Sequence, residues 1–221
     1  MKSLNKYVLV LLLVFSVTEG FGQGKDSTFF FDTFAVSVNS TYAKGGEVDS
    51  RTGFGLGLYR TMLPQKRVNL LLGLEYNYTS CFTKRLFKGK YSTAYDVTYS
   101  VSSISVPFTV RVNVGKRVKF FLETGIFFEV NIGGREKGTS VTWFYPSGEN
   151  DSIYSKETRY NEKGDISSFN YGFSAGLGIS IPMGKHYLII KPDYKQGLMP
   201  VYNYMDVLSN NYFRMIVAFK L

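Results

Sequence analysis

The sequence has few of the residues on which much enzyme chemistry depends, since its 221 residues include one cysteine, one histidine and one tryptophan. Cys81 has no second cysteine for an intramolecular disulfide, and without a partner histidine we do not expect it to act as a nucleophile. His186 lies beside Lys185 in a predicted turn, and the sequence indicates no serine on a neighbouring turn. We therefore interpret it as a solvated turn residue, not as a general base.

Several motifs are also absent. The chain carries no glycine-rich phosphate loop, no dinucleotide fingerprint and no cluster of metal-ligating residues. Its stretches "GLGLYR" and "GLGISI" are rich in glycine, but both fall inside predicted strands. We therefore predict no catalytic residues, no cofactor and no metal, and the protein is not expected to be an enzyme. Beyond the first residues, no apolar run approaches the roughly 20 residues that a transmembrane helix needs.

The first residues indicate export. In "MKSLNKYVLVLLLVFSVTEGFGQG", two lysines precede an apolar run over 7–17, and small residues follow up to Gly22. This order is typical of a cleaved secretory signal. We place the signal peptide at 1–22 and the mature N-terminus at Gln23, followed by a periplasmic segment over 23–33.

The remainder of the chain is dominated by residues that alternate in polarity. In "YGFSAGLGISIP", over 171–182, glycine or serine occupies every second position from Gly172 to Ser180, and apolar residues fill the positions between. Because a strand turns successive residues to opposite faces, one face is apolar and the other is nearly bare backbone. Eight segments alternate in this way: 34–42, 53–62, 69–79, 103–114, 120–132, 171–182, 187–198 and 212–221. Upstream of the fourth segment, polar and apolar residues exchange positions in the alternation, which predicts a bulge near Ser102.

The connections between these segments alternate between short turns and long loops, which is the layout of an outer-membrane barrel. We therefore predict an all-β fold, an eight-stranded antiparallel up-and-down transmembrane β-barrel over 34–221, with both termini in the periplasm. Aromatic residues near the strand ends predict two interfacial girdles. The long-loop girdle comprises Tyr42, Tyr76, Tyr78, Tyr171, Phe173 and Tyr212, and the short-turn girdle comprises Phe120, Tyr187 and Phe219. The alternative is a soluble lipocalin-like binding barrel, in which the same strands face the other way.

In the membrane reading, the polar face of each strand points into the barrel. An eight-stranded barrel is only just wide enough for side chains to fill, so small residues leave room for larger neighbours. The inward set contains four acids and four bases, and buried charges persist when they are paired. We therefore predict a closed structural ionic network in place of an open pore, formed by Glu75, Arg111, Glu123, Glu129, Lys191, Asp193, Lys195 and Arg214.

The loops carry the remaining candidate sites. The 35-residue connection from Gly133 to Ser167 contains Trp143, Phe144 and Tyr145, which we propose as an interaction site on an extended hairpin of strands five and six. The formal net charge is +9, and part of the excess lies on the short turns, where it would meet anionic phospholipid. The second long loop is also basic, and lipopolysaccharide phosphates are its expected partners. The residues of that predicted contact are Lys84, Arg85, Lys88 and Lys90. Nucleic acid is not an expected partner of an exported barrel.

The runs "SISVPFTVRVNVG", "FFLETGIFF" and "YGFSAGLGISI" resemble the outer-membrane β-barrel domain of the PorT family and, more distantly, the outer-membrane protein X class. The terminal "FRMIVAFKL" resembles the signal read by the barrel-assembly machinery, with Phe219 and Leu221 in the pattern, although an aromatic last residue is usual there. The resemblance implies residence in the outer membrane of a Gram-negative bacterium. Fold alone does not give function. We expect a structural or surface-interaction role through the long loops, with outer-membrane lipid as a partner. The alternatives are an accessory component of an envelope secretion or transport machine with an envelope protein partner, as in the PorT resemblance, and thirdly a lipid-modifying enzyme.

Overall fold

We analysed a computed structural model that describes residues 30–41, 48–63, 67–88, 91–144, 154–202, 205–209 and 211–221. The predicted signal peptide, its cleavage site and most of the segment 23–33 lie outside these residues. Within the described part of the chain, no helix is long and apolar enough to cross a membrane.

The described residues form eleven antiparallel β-strands. Eight of them, β1, β2, β3, β4, β5, β7, β8 and β11, pair in that order, and β11 pairs with β1 to close a ring. The predicted eight-stranded antiparallel barrel is therefore confirmed. The strands are β1 Thr33–Thr41, β2 Val48–Met62, β3 Val68–Lys88, β4 Ser92–Val114, β5 Lys119–Phe144, β6 Tyr154–Lys163, β7 Phe169–Met183, β8 His186–Gly197, β9 Pro200–Tyr202, β10 Met205–Ser209 and β11 Tyr212–Lys220.

The apolar face of the barrel points outward. Phe120 and Leu177 are each 63% exposed, whereas the interior positions of the same strands are buried and mostly polar or small. A soluble barrel would show the opposite arrangement, because its apolar face would form the core. The soluble lipocalin-like alternative is therefore wrong.

The bare face of β7 accommodates two aromatic rings of β5. A β-carbon at Gly178 would lie 2.4 Å from the Phe121 ring, and one at Gly172 would lie 2.9 Å from the Phe127 ring and 1.8 Å from the Gln196 carbonyl oxygen. Both rings are buried inside the barrel. Glycine is required here because the neighbouring strand supplies the side chains that fill the space.

The bulge expected near Ser102 lies in the partner strand. Ser102 pairs with Gly133 and Ser103 pairs with Asn131, so Ile132 of β5 is the extra residue. The inward positions of β4 follow one unbroken alternation through Val101 and Ser103. The phase reversal in the sequence therefore does not mark a change of face in β4. The inward residues themselves change from polar to apolar along the strand.

Two further sequence expectations need correction. Tyr212, assigned to the long-loop girdle, points into the barrel and is fully buried, because it shares an inward face with Arg214. Much of the chain predicted as long loops is strand: β3 continues to Lys88 and β4 begins at Ser92. The strand pairing of β3 and β4 therefore continues well past the segments that alternate in polarity. Tyr42 lies outside the described residues.

Candidate functional site

The barrel interior contains a connected chain of ion pairs. Seven of the eight charged residues predicted to face inward are joined in one series, and all seven are less than 10% exposed. Arg111 donates to Glu123 at 2.9 Å, and Lys191 bridges Glu123 and Asp193. Because β4, β5 and β8 each place these residues on inward positions, the closed ring of strands brings the charges together. The series runs in the order Arg111, Glu123, Lys191, Asp193, Arg214, Glu75 and Lys195.

Glu75 of β3 is the most connected carboxylate of this series. It accepts hydrogen bonds from the Lys195 ammonium at 2.9 Å and the Arg214 guanidinium at 2.8 Å. Two neutral hydroxyls also donate to it, from Tyr59 at 2.6 Å and Ser105 at 3.0 Å. Such multiple pairing is what makes a buried charge tolerable.

The two cations that contact Glu75 differ in their other partners. Arg214 also donates two hydrogen bonds to Asp193, at 2.6 and 3.0 Å. Lys195 is completely buried, and besides Glu75 it donates to the Ser105 hydroxyl at 2.8 Å and lies 4.3 Å from the centre of the Phe127 ring. Lys195 therefore depends on Glu75 for its ionic pairing more than Arg214 does.

The eighth predicted member of the network, Glu129, is buried higher in the barrel, where it accepts a hydrogen bond from the Asn170 amide at 3.4 Å. The sequence did not single out the neutral partners Tyr59, Ser105 and Asn170. All three lie at positions that the alternation of polarity assigns to the inside of the barrel, and that assignment could have identified them. Paired charged side chains thus occupy the middle of the barrel, and no group of three or more His, Cys, Asp or Glu residues positioned to hold a metal occurs in the described ranges.

An apolar cluster lies above the charged interior, toward the long-loop end. Val201 of β9 is buried there, and its backbone carbonyl accepts a hydrogen bond from the Ser167 amide at 2.7 Å. Ile166 packs against the same cluster and covers Gly134. The connections 164–168 and 198–202 therefore fold over the barrel mouth. The buried members of the cluster are Cys81, Ala94, Val97, Tyr99, Val101 and Val201.

Strands β2, β3, β4 and β5 continue past the barrel and form, with β6, a sheet that we call the loop-end sheet, comprising 48–51, 80–88, 92–101, 133–144 and 154–163. The expected hairpin of strands is thus present as β5 and β6. Its aromatic strand is not an edge, however, because β5 pairs with β4 on one side and β6 on the other. Trp143 is half-buried, Phe144 is 40% exposed, and Tyr145 lies outside the described residues.

The face of the loop-end sheet that continues the lipid-facing side of the barrel is rich in exposed cations. Residues directly opposite each other in antiparallel strands share a face. Since Val97 and Tyr99 point inward, Thr98 and Ser100 point outward, and so do their partners Lys137 and Arg135. The same pairing continues to Lys163 and, through Thr139, to Arg159 on β6. We call this face the cationic face; its exposed bases are Arg51, Lys84, Arg135, Lys137, Arg159 and Lys163.

The residues predicted to contact lipopolysaccharide are only partly described. Lys84 and Arg85 are both exposed on β3, and Lys84 shares the cationic face with Phe82. The side chain of Lys88 and the whole of Lys90 lie outside the described residues. The sequence therefore locates one member of the cationic face, Lys84, but it does not locate Arg51 or the cations on β5 and β6, because its alternation predicts long loops there.

The opposite face of the β5–β6 hairpin holds an acidic pair beside a tyrosine. Glu136 and Glu162 are direct cross-strand partners, and the Tyr160 hydroxyl donates to Glu136 at 2.8 Å. Gly138 leaves room for the Tyr160 ring, because a β-carbon there would lie 2.9 Å from its hydroxyl. Burial and the hydrogen bond to the Glu136 carboxylate raise the pKa of Tyr160 above its ordinary value.

The short-turn end of the barrel is basic and contains the histidine. His186 begins β8 and its ring centre lies 5.2 Å from that of Phe219. Its buried Nδ1 makes no hydrogen bond within the described part of the chain. Arg67, Lys116, Arg117 and Lys185 are exposed here, and Lys119 lies 5.6 Å from the Tyr187 ring centre. Lys66 is not among the described residues.

Comparison with known proteins gives one family and several structural neighbours. A family model described as "Outer membrane protein beta-barrel domain" matches residues 20–203. No curated protein matches the chain. Among solved structures, Neisserial surface protein A shares 12% identity at a TM-score of 0.46, covering 89% of this chain and all of that one. Ail of Yersinia pestis shares 10% identity at a TM-score of 0.40, covering 86% and 95%. The N-terminal barrel domain of OprF of Pseudomonas aeruginosa shares 9% identity at a TM-score of 0.35, covering 86% and 98%.

Proposed function

Because the chain belongs to the family of outer-membrane β-barrel domains, we propose that it is a non-catalytic surface protein whose loop-end sheet is its interaction surface. The barrel serves as the anchor, and the sheet is the part that other molecules reach. In this proposal the short turns and both termini lie in the periplasm, and the long connections lie outside the cell.

The observation that supports this role most directly is strand length. A transmembrane β-strand needs about 9–11 residues. β3, β4 and β5 contain 21, 23 and 26 residues, whereas β1 and β11 contain nine each. On one side of the barrel, each of these three strands is therefore about ten or more residues longer than spanning requires. A chain that only closed a barrel would not need this extension.

The interior supports an anchoring role and not catalysis. Seven of its eight predicted charged groups pair with one another, as the contacts of Glu75, Lys195 and Arg214 illustrate. The histidine lies at the opposite end from the loop-end sheet, packed on Phe219. A general base must reach the proton that it abstracts, and in this proposal His186 lies on the periplasmic side, away from outer-leaflet substrates.

Accessibility of the two ends on intact cells tests the proposal. Cys81 is replaced by alanine, and Ser155→Cys on β6 is compared with the matched Lys116→Cys on a short turn, both at exposed positions. We expect a membrane-impermeant maleimide to label Ser155→Cys on whole cells and Lys116→Cys only after lysis. The protein should fractionate with the outer membrane and shift on a gel when boiled. Labelling of Lys116→Cys alone on whole cells, or a soluble protein, would overturn the proposal.

The two other functions considered from the sequence stay predictions. A stoichiometric envelope protein that copurifies with the barrel would favour an accessory role in secretion or transport. A changed lipid acylation profile after deletion would favour a lipid-modifying enzyme. Insertion by the barrel-assembly machinery is likewise a prediction, tested by depletion of that machinery.

A further inference from the structure

We propose that the cationic face of the loop-end sheet binds the phosphate groups of lipopolysaccharide molecules that surround the barrel. This inference rests on the proposed function, because it requires the sheet to lie on the outer side of the membrane. It concerns the face of β2 to β6 that continues the lipid-facing side, not the barrel mouth.

The first argument is an excess of positive charge on that face. Six exposed bases occupy it, and among the described residues the carboxylates on or beside it are Asp49, opposite Phe82, Glu157, opposite Val141, and the exposed Asp96 next to Tyr95. A surface with two bases for each acid attracts anions.

The second argument is the direct opposition of like charges. Arg135 and Lys163 are cross-strand partners in the β5–β6 ladder, and Lys137 is the next residue on the same face of β5. Like charges directly opposite in a sheet are destabilising. An anion placed between the two side chains would convert this repulsion into two charge-assisted hydrogen bonds. The ladder therefore has a position that is most stable when a phosphate is bound.

The third argument is height above the membrane. Ile132 is the last exposed apolar residue of β5 before the cations, and Arg135 follows three residues later, about 10 Å along the strand. On β3, Tyr76 and Tyr78 precede Lys84 on the same face. Phosphates of lipopolysaccharide are attached to the sugars directly above the acyl chains, which is the level that these side chains reach.

One cation of this face, Arg51, is already held in position by a neighbouring side chain before any ligand binds. The Arg51 guanidinium lies over the Phe82 ring, 4.7 Å from its centre, so the charge is fixed near the aromatic level of the barrel. Ser80 and Ser100, which lie between the cations of β2 and β5, are small. An approaching anionic headgroup therefore meets no bulky side chain in the row between Arg51 and Arg135.

The test measures binding of lipopolysaccharide to the refolded barrel in neutral detergent, followed by fluorescence of the single tryptophan, Trp143, which has the same parity on β5 as Lys137. The variant is Arg135→Gln with Lys163→Gln. The matched control is Lys116→Gln with Arg117→Gln, which removes two exposed charges at the other end of the barrel. Each variant is first checked for heat-modifiability.

We expect the Arg135 and Lys163 double variant to bind about 25-fold more weakly, since each basic residue near an anionic surface contributes roughly a fivefold effect. The control should bind as the wild type does, and enzymatic removal of the phosphates from the ligand should weaken wild-type binding at least as much. Without ligand, the double variant should unfold at a higher temperature, because the like-charge opposition is gone.

Equal binding by the double variant and the wild type would overturn the inference, and so would equal binding of dephosphorylated ligand. Equal competition by phosphatidylglycerol would also overturn it, because the face would then bind any anionic lipid. If the double variant does not fold, Lys137→Gln with Arg159→Gln takes its place, with the same expectations for binding. Surface labelling of Ser155→Cys distinguishes failure of this inference from failure of the proposed function.

Discussion

Removal of the Glu75 carboxylate should destabilise the barrel, and simultaneous removal of the Lys195 charge should restore about half of the loss. In Glu75→Gln, Lys195 loses its carboxylate partner and keeps neutral groups such as the Ser105 hydroxyl and the Phe127 and Tyr212 rings, whereas Arg214 keeps both hydrogen bonds to Asp193. An uncompensated ammonium would then remain at a position of zero exposure. Breaking a buried ion pair from one side costs about 3–5 kcal/mol.

The partner substitution should cost less. In Lys195→Met, Glu75 keeps its bonds from Arg214, Tyr59 and Ser105, so we expect a loss of about 1–3 kcal/mol in the free energy of unfolding. The double variant removes one charge of each sign, and methionine occupies much of the lysine volume. Its loss should be close to that of Lys195→Met alone, so the coupling energy should equal the cost of Glu75→Gln, about 3–5 kcal/mol.

Urea unfolding of the four proteins in lipid vesicles measures this cycle, with the boiled-gel mobility as a second readout of the folded fraction. If the losses of the two single variants sum to that of the double variant within about 0.5 kcal/mol, the reasoning is refuted, because the effects of substitutions at independent sites add within that tolerance. Lys116→Met at the exposed short turn is the control for loss of a lysine and should leave the unfolding midpoint unchanged.

Three further predictions follow from other parts of the molecule. Gly178→Ala should lower the free energy of unfolding by about 1–3 kcal/mol because its β-carbon would meet the Phe121 ring, while Gly133→Ala, with no atom within 4 Å, should be neutral in the same urea titration. Val201→Asp should place a charge in the apolar cluster and speed hydrogen exchange of the β4 amides at 97–101; the exposed Leu198→Asp should leave these rates unchanged, and equal rates in both variants would contradict the packing of Val201 over the barrel mouth. Because the folded hairpin raises the pKa of Tyr160 above the unfolded value of 10.0, its contribution to stability is full below pH 10 and lost as the pH rises above it. Limited proteolysis of β6 between pH 9 and 11 should therefore accelerate in the wild type but not in Tyr160→Phe.

The spanning part of the fold could be predicted because the membrane and the narrow barrel impose one rule on every strand. Gly176 and Ser180 are inward for the same reason that Leu177 and Ile179 are outward, so local alternation is enough to assign the face. The inward charges could be assigned by parity, but their pairing could not. Arg214 contacts Glu75 across 139 residues of sequence, and only the closure of the ring brings them together.

The part of the fold beyond the membrane is harder to predict, because the rule that apolar residues face outward and polar residues face inward no longer holds there. Val97, Tyr99 and Val101 point inward although they are apolar, since this end of the barrel has water outside and a small core inside. The reversed pattern was attributed to a bulge in β4, and the strands themselves were assigned to loops. Tyr212 was placed with the girdle because it is an aromatic residue at a strand end. Tyr212 lies two residues before Arg214 on the same strand, so both side chains point to the same face, which is the inside of the barrel.

The simultaneous reversal on both faces of β4 fixes how deep the protein lies in its bilayer. Outside, apolar Ile104 is followed upward by Ser102 and Ser100, while inside, Ser103 is followed by Val101. A displacement of one residue pair along the strand would bring serines into hydrocarbon or expose Ile104 to water. The barrel therefore has little tolerance for hydrophobic mismatch, and a thicker bilayer must thin around it. Membranes of different thickness would accordingly differ in how readily they accept this protein.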